Sequence, residues 1–484
     1  MKQTTYLFLL FNIALFTACN RTIDKYLYIS ENARITPAYV ETYIPYNIAP
    51  LNFCINETGD AFSVRFVAGQ DSFEVATKKE VNIPSGKWKK LLEKHRGENL
   101  LVCIFAKRDN QWYQFQDLHF KIAEEPIDPY IAYRLIEPGY SAWGKMGLYQ
   151  RNLENFKESP IMLNTLTDKN CMNCHSFHKN NPDRMLFHLR GQHAGTLFLL
   201  DGEVKKINTK APKMVSAGVY PRWHPEGRFV AFSTNSTHQG FHTSHANKVE
   251  VFDTESDIVM YDTQANRMFT SNALYSKESY ETFPEWSPDG KYLYFCTAPA
   301  LTMPKEFKSL KYSLVRIAFD SQTGTFANQV DTLVSPEITG KSVSLPRISP
   351  DGKYLIFCQF DYGTFPIWHR ENDLYILNTE TKNVSAMTDI NSHETDSYHS
   401  FSSNGRWLIF SSRRLDGNYT RLFISYFDKE GKGHKPFLLP QKHADYYDAL
   451  MKSYNIPEFM TGKVENAPAK FNKAAWKTAE EMAK

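Results

Sequence analysis

The sequence has almost no excess charge of either sign. Its 484 residues include 56 Lys and Arg against 53 Asp and Glu, which leaves a net charge of +3. Proteins that bind nucleic acid through electrostatic attraction carry a strong basic excess on the binding surface. The charge balance therefore gives no support to such a function, and we expect no nucleic-acid partner.

Long apolar runs are also lacking beyond the first residues. One run extends from Tyr6 to Phe16 after the basic Lys2, and Thr17-Ala18-Cys19 follows it. This order is typical of a secretory signal peptide, here residues 1–18, and the run is too short to span a bilayer comfortably. Residues 15–19 resemble a bacterial lipobox, which implies lipidation of Cys19 and a lipid-anchored location in the cell envelope, periplasmic or at the outer membrane. Ordinary cleavage near Ala18 with a free Cys19 is the alternative.

Two common enzyme motifs are incomplete. The segment Gly139-Tyr140-Ser141-Ala142-Trp143 lacks the second glycine of a serine-hydrolase nucleophile elbow. Gly340-Lys341-Ser342 lacks the glycine that a phosphate-binding loop has five residues earlier. We therefore expect no hydrolase, and the sequence leaves open whether the protein is an enzyme of another kind.

A short pattern recurs four times between residues 220 and 411. Each copy has an apolar or aromatic residue before a turn such as Ser287-Pro288-Asp289-Gly290, and an alternating apolar run follows. Proline fixes φ in such a turn and glycine takes the positive φ. Each copy is followed by further strand-like segments, and repeated units of four antiparallel strands form propeller blades. The copies cover residues 220–233, 283–296, 345–358 and 398–411.

A fifth, degenerate copy covers residues 174–188, with Phe177 in the place of the tryptophan. Five blades are therefore countable, and a sixth assembled from residues 130–168 and the C-terminal segment stays open. The segment Trp286-Ser287-Pro288-Asp289-Gly290-Lys291 resembles the TolB-type propeller repeat, a resemblance that extends over about residues 171–440.

These observations predict an all-β protein with two folded domains. Alternating strand-like segments without a repeat predict a β-sandwich-like domain over residues 19–125. Prolines mark residues 126–170 as a connector. The propeller is predicted for residues 171–445, with residues 446–484 as a C-terminal extension.

The chemically most specific motif is Cys171-Met172-Asn173-Cys174-His175, at the start of the first predicted blade. Cys-x-x-Cys-His is the attachment signature of c-type haem, in which the thiols bind the macrocycle and the histidine binds iron. Given the composition, roughly 0.003 chance matches are expected in this chain. There are three alternatives: a labile disulfide, a zinc site and a motif that has lost its haem. A zinc site would need a second pair of cysteines, which is missing.

The second iron ligand is predicted to be His193, because the glycines at 191 and 195 allow its turn to approach closely. Met185 and His188, on the first hairpin, are the runners-up. His242 and His245 are further candidates.

The whole pattern resembles a family of bacterial TolB-like lipoproteins that carry one c-type haem motif at the first blade. The resemblance is carried by residues 133–140, 149–153, 170–177 and 452–459. It implies this architecture and haem c as cofactor, but it does not define an activity. The leading hypothesis is an envelope protein that transfers electrons or senses a redox state, with the propeller as docking surface for a redox or envelope partner. The alternative is a propeller that binds a protein or glycan without redox activity.

Overall fold

The computed structural model describes residues 23–137, 144–212, 214–242, 244–245 and 247–483. The predicted signal peptide, Cys19 and the segment Gly139–Trp143 lie outside the described residues. Within the described part of the chain, no helix is long and apolar enough to cross a membrane.

Ten strands and one helix form the first domain. They are β1 (Leu27–Asn32), β2 (Ile35–Thr36), β3 (Thr42–Pro45), β4 (Phe53–Ile55), β5 (Ala61–Ala68), β6 (Asp71–Thr77), β7 (Glu80–Val81), α1 (Ser85–Lys94), β8 (Asn99–Arg108), β9 (Gln111–Gln116) and β10 (Leu118–Ala123). A seven-stranded sheet has the order β1-β9-β8-β10-β3, with β5 paired to both β8 and β6. A three-stranded sheet has the order β2-β4-β7. The buried Trp88 of α1 lies edge-on to Phe66 of the larger sheet, with ring centroids 5.9 Å apart.

The remaining strands of the described residues form six four-stranded antiparallel sheets, the blades of a β-propeller. Their bounds are β11 (Tyr130–Ile136), β12 (Gly147–Asn152), β13 (Glu158–Leu163), β14 (Met172–Phe177), β15 (Met185–Leu189), β16 (Gly195–Leu200), β17 (Glu203–Ile207), β18 (Val219–Trp223), β19 (Phe229–Phe241), β20 (Val249–Asp262), β21 (Arg267–Phe269), β22 (Ser279–Trp286), β23 (Tyr292–Pro299), β24 (Ser313–Asp320), β25 (Thr325–Val334), β26 (Ser342–Ile348), β27 (Tyr354–Phe360), β28 (Asp373–Asn378), β29 (Val384–Ala386), β30 (Asp396–Phe401), β31 (Trp407–Ser412), β32 (Arg421–Tyr426), β33 (Phe437–Leu438) and β34 (Ser453–Met460). Three further helices are α2 (Pro336–Thr339), α3 (Tyr446–Ala449) and α4 (Ala467–Ala475). The predicted fold class is confirmed, and Trp223 and Trp286 lie in different sheets as a propeller requires.

One blade joins distant parts of the chain. Strands β11 to β13 come from the segment predicted as a connector, and β34 comes from the predicted C-terminal extension. Strand β34 pairs antiparallel with β11 at the edge of this sheet. It has the edge position that β14, β18, β22, β26 and β30 have in the other five sheets, so these six are the inner strands of the blades. The sixth blade that the sequence left open is therefore present, and residues 130–163 belong to the propeller.

The turns between the first two strands of a blade show why the Ser-Pro-Asp-Gly pattern recurs. Ser287 Oγ donates to Asp289 Oδ1 at 2.6 Å and accepts from the Tyr292 N–H at 2.9 Å. Gly290 has a φ of +73°, which a residue with a side chain rarely adopts. The same contacts recur at Ser349 and Ser402, so each polar turn satisfies its own backbone groups.

The hairpin of β19 and β20 is longer than its blade. Residues 235–241 and 249–256, which we call the arm, extend past the start of β18. Phe252 of the arm packs on Phe307, which in turn packs on Tyr362, two blades away. At the same place the buried His369 lies between Glu250 of the arm, at 3.0 Å, and Glu371, at 3.1 Å. The arm is thus fixed to the blade of β26 to β29 by a buried ion pair.

We predict that replacing His369 with Gln lowers the free energy of unfolding at pH 7 by about 3 kcal/mol, since it leaves Glu250 buried without its counter-charge. Burial alone would lower the pKa of His369, but the carboxylates of Glu250 and Glu371 outweigh it and raise the pKa to about 9. The stability that the raised pKa contributes is fully present below about pH 6.5 and is lost as pH rises through 9. Urea titrations at pH 7 and pH 10 measure the free energy of unfolding. The difference in this free energy between wild type and variant should be smaller at pH 10 than at pH 7. The exposed His443→Gln is the control, and an equal loss in both variants would contradict the prediction.

Candidate functional site on the propeller axis

Each of the six inner strands contains one residue in the left-handed region. The residues share a φ between 45° and 58°. They are Cys174, Tyr220, Phe283, Leu345, Tyr398 and Ile456. The pairing register shifts at the same place in every blade, as in a β-bulge. The second cysteine of the haem motif therefore occupies a position that the propeller repeats six times.

The next residue of each inner strand is proline or histidine. Four strands have proline there, which fits because a bulge leaves a backbone position without a ladder hydrogen bond. The prolines are Pro221, Pro284, Pro346 and Pro457. The other two strands have His175 and His399. His175-Ser176-Phe177 thus matches His399-Ser400-Phe401, with Cys174 in the place of Tyr398, which explains why the degenerate copy aligns with the repeat.

All six inner strands contribute to one cavity on the axis. The cavity contains about 330 Å³ of space between protein atoms, part of it continuous with solvent. Its lining comes from the bulge residues and their neighbours. These are Cys174, His175, Tyr220, Pro221, Arg222, Phe283, Pro284, Leu345, Arg347, Tyr398 and Ile456. Only about 20 Å³ of this space is wide enough for the centre of a water-sized sphere, which is room for about one water molecule.

His175 is buried beside this cavity without a hydrogen bond of normal geometry to either ring nitrogen. Burial lowers its pKa to about 4, although the field of Glu458 and the Ile456 carbonyl act in the opposite direction. The imidazole is therefore neutral at pH 7. Buried polar groups in native proteins nearly always have a partner, and a neutral imidazole with free nitrogens is the form that binds a metal.

The two cysteines of the motif lie in different surroundings. Cys174 lines the cavity, and burial raises the pKa of its thiol. Cys171 is half-buried and packs against the apolar cluster between the β11–β13 blade and the β14–β17 blade. All six cysteines of the described residues are free thiols. Within the same residues, no group of three or more His, Cys, Asp or Glu side chains is arranged to hold a metal ion by itself.

Charged residues form a ring one step further along the inner strands. Arg222 contacts Glu285 and Glu458, each at 2.9 Å, and Arg347 contacts Glu285 at 3.5 Å. The second oxygen of Glu458 accepts the Phe177 N–H at 3.0 Å. Burial raises the pKa of Glu285 to about 7 against the opposing effect of Arg222. We call Arg222, Glu285, Arg347 and Glu458 the charged ring.

Sequence analysis did not identify the charged ring, although a signal was present. In four inner strands the proline is followed by a charged residue, and its sign alternates along the chain, as in Pro221-Arg222, Pro284-Glu285, Pro346-Arg347 and Pro457-Glu458. Opposite charges on different inner strands can pair near the axis, whereas β14 and β30 have Ser176 and Ser400 at this position. The repeat alignment covered three of these pairs, but the fourth lies in β34, outside the predicted propeller.

His193, the predicted second iron ligand, is engaged elsewhere. Its Nε2 lies 2.8 Å from Asp168 Oδ2, and its ring packs on Trp476 with centroids 4.3 Å apart. The ring of His175 lies edge-on to Phe177. The two histidines contact different residues, so the structure does not bring them together, and ligation by His193 stays a prediction.

The two runners-up lie on opposite faces of β15. Met185 is fully buried in the apolar cluster that also contains Met172 and Phe177. His188 is buried, with Nδ1 3.1 Å from the Thr196 hydroxyl, and burial lowers its pKa to about 4. Neither residue is among those that line the axial cavity.

Comparison with known proteins supports the propeller. Residues 224–372 match the family model of the dipeptidyl peptidase IV (DPP IV) N-terminal region. The chain thus contains a propeller region of this type, with matching sequence over the middle blades. No curated protein matches the chain.

Similar solved structures are distant. They include an oligogalacturonate lyase in complex with manganese, with 13% identity over 64% of this chain and 74% of that one and a TM-score of 0.36. The β-propeller domain of the trilobed protease from Pyrococcus furiosus has 14% identity over 71% and 95%, with a TM-score of 0.34. A puromycin-hydrolysing peptidase from Mycobacterium tuberculosis has 11% identity over 83% of this chain and 57% of its own, with a TM-score of 0.37. None of these likenesses bears on activity.

We predict that replacing Glu458 with Ala lowers the free energy of unfolding by about 2–3 kcal/mol. The change removes a buried partner of Arg222 and the acceptor of the Phe177 N–H. Urea unfolding at pH 7 measures the loss. Glu465→Ala is the matched control, because Glu465 pairs with Lys463 at the surface and exposed pairs contribute about 0–1 kcal/mol. Equal unfolding midpoints for the two variants would show that the contacts of Glu458 in the charged ring do not stabilise the propeller.

Proposed function

We propose that the protein binds one c-type haem covalently through Cys171 and Cys174, with His175 as iron ligand. In this proposal it transfers electrons or senses a redox state at the cell envelope, where a lipid on Cys19 tethers it and the propeller surface receives a redox or envelope protein. The observation that carries the proposal is the buried, neutral imidazole of His175, which has both nitrogens without a normal hydrogen bond and stands beside a free Cys174.

The donor set fits haem attachment in its chemistry. Both thiols are reduced, and an S–H bond adds across a vinyl group without a leaving group or an oxidant. His175 is in the protonation state that binds iron. When bound, such a haem supplies one-electron chemistry, and its potential depends on the axial ligands, nearby charge and burial.

Residues around the cavity supply the electrostatic setting. The field of the guanidinium groups of Arg134 and Arg222 lowers the pKa of His175, together with its burial, and so keeps the imidazole unprotonated. The charged ring has two positive and two negative members, so its net charge is close to zero when Glu285 is ionised. The phenols of Tyr220 and Tyr398 share the cavity wall and keep much of it apolar.

We predict a covalent haem in protein made by a host that contains the haem-attachment machinery. After acid-acetone extraction the Soret band should stay with the polypeptide, and Cys171→Ser should lose at least one of the two thioether links seen by mass spectrometry. Cys54→Ser is the matched control, because Cys54 is also a half-buried free thiol but lies in the first domain. If intact mass shows no haem when the machinery is active, the redox proposal is wrong.

We further predict that His193 is the second iron ligand, so His193→Ala should change a low-spin haem spectrum to high-spin while the haem stays attached. Ligation by His193 requires its ring to leave Asp168 and Trp476. Asp168→Asn is therefore an informative companion, since it removes the carboxylate but keeps the histidine. A spectrum unchanged in His193→Ala but altered in Met185→Leu or His188→Ala would assign the ligand to β15.

A second candidate is a propeller that binds a partner without haem. It is favoured by the match between His175-Ser176-Phe177 and His399-Ser400-Phe401, with Cys174 and Tyr398 as the bulge residues. The motif would then form the bulge of an inner strand, as its counterpart in β30 does. It is also favoured by the packing of Cys171 away from the residues that line the cavity. This candidate predicts that the haem-free protein is fully folded and that the Cys171→Ser variant unfolds at the same urea concentration as wild type.

A further inference from the structure

One buried arginine beside the haem motif has almost no partners. Arg134 of β11 is 8% exposed. Within the described residues its guanidinium donates one hydrogen bond, from Nη1 to the Met172 carbonyl at 3.3 Å, and its Nε has no acceptor. It forms no ion pair with a carboxylate of the described chain. Because a guanidinium has five N–H donors and is always charged, most of its donors and its charge are left without a partner.

The other buried arginines of the described residues are satisfied by the protein itself. Arg151 donates to Gln441 Oε1 at 2.7 Å and to the Pro440 carbonyl. Arg413 and Arg421 likewise each donate to at least two backbone carbonyls. A buried charge is costly unless it is paired and hydrogen-bonded. The exception in β11 therefore points to an anion that the chain does not supply.

The position of Arg134 relates it to the cysteines of the motif. It lies on the same face of β11 as Ala132 and Ile136, which pack in the apolar cluster between the β11–β13 blade and the β14–β17 blade. Cys171 packs against the same cluster. The hydrogen bond of the guanidinium reaches the residue that follows Cys171 in sequence. The side chain therefore extends from one blade to the start of the motif in the next.

A second arginine approaches the motif from the surface. Arg190 is exposed, and its backbone N–H donates to the Cys171 carbonyl at 2.9 Å. It too forms no ion pair with any acid of the part of the chain that the structure describes. Burial raises the pKa of the Cys174 thiol, and the fields of Arg190 and Arg134 oppose this rise. The arginines of the charged ring have acids as partners, so these two leave an excess of positive charge near the thiols.

We propose that Arg134 and Arg190 form a binding site for one carboxylate next to the cysteines of the motif. A carboxylate accepts two parallel hydrogen bonds from the fork of a guanidinium, and its single negative charge matches the single buried positive charge. Two sources have this chemistry: a free small carboxylate, and a propionate group of a haem held by the thiols. The second source rests on the proposed function, and the first does not.

The first test asks whether the chain keeps Arg134 for stability. In the full chain made without the haem-attachment machinery, Arg134→Met should leave the urea midpoint at pH 7 unchanged or raise it, because it removes a buried charge that has no counter-charge. Arg151→Met is the matched control and should lower the midpoint, since Gln441 and the Pro440 carbonyl lose their donor. An equal fall in both variants would show that Arg134 only links two blades, and the proposal would be wrong.

The second test measures binding to the same haem-free protein. Sodium propionate is the probe, and propionamide, which has a similar shape but no charge, is the control ligand at equal ionic strength. We expect propionate alone to raise the unfolding temperature. The dissociation constant derived from this rise should be at least about tenfold higher in Arg134→Met, with a smaller increase in Arg190→Met. Arg34→Met, at an exposed arginine of the first domain, should leave the constant unchanged.

The third test uses the haem-loaded protein and separates the two sources. A propionate beside a guanidinium titrates at a lower pH, so Arg134→Met should shift the pH dependence of the midpoint potential to higher pH. Such a shift assigns the carboxylate to the haem, whereas propionate binding without the shift assigns a free carboxylate. Absence of both overturns the proposal. If intact mass shows no haem, the redox function is wrong, and propionate binding alone decides the carboxylate site.

Discussion

The site depends on one backbone constraint, the bulge that each inner strand makes near the propeller axis. A left-handed residue costs roughly 1–3 kcal/mol when it is not glycine, and none of the six residues here is glycine. Each bulge interrupts the ladder where six strands converge, and the pairing resumes beyond it with a shifted register. The bulge also turns consecutive side chains toward the axial space, so that a cysteine and a histidine adjacent in sequence both border one cavity.

The charged ring connects the inner strands next to the bulges. Arg222 of β18 contacts acids on β22 and β34, and Glu458 of β34 also accepts a backbone N–H of β14. These contacts connect four inner strands, including the one supplied by the far end of the chain. An intact buried ion pair contributes little net stability compared with apolar packing, but removing one member is costly because it leaves the other charge buried alone. The ring therefore makes the closed circle sensitive to the loss of any one of its members.

Much of this fold is visible in the sequence because its determinants are local. The Ser287-Pro288-Asp289-Gly290 turn satisfies its own polar groups within five residues, so related turns recur in the other copies and five blades could be counted. The partner of β11 is more than 300 residues away. Its segment Pro457-Glu458-Phe459 parallels Pro284-Glu285-Trp286, but it lacks the Ser-Pro-Asp-Gly turn by which the repeat was recognised. For the same reason the motif at Cys171 was evident, whereas the position of His193 beside Asp168 and Trp476 depends on packing between an exposed turn and the C-terminal helix region.

The closing strand has a consequence for the order of events during assembly. Cys174 is only 2% exposed, and Ile456 of β34 borders the same cavity. Until residues 453–460 pair with β11, the inner faces of β11 and β14 are open at the gap, and afterwards the thiol lies within a complete circle of strands. A group that becomes bonded to Cys174 therefore has its open access while the chain is still an open arc, before the final strand docks.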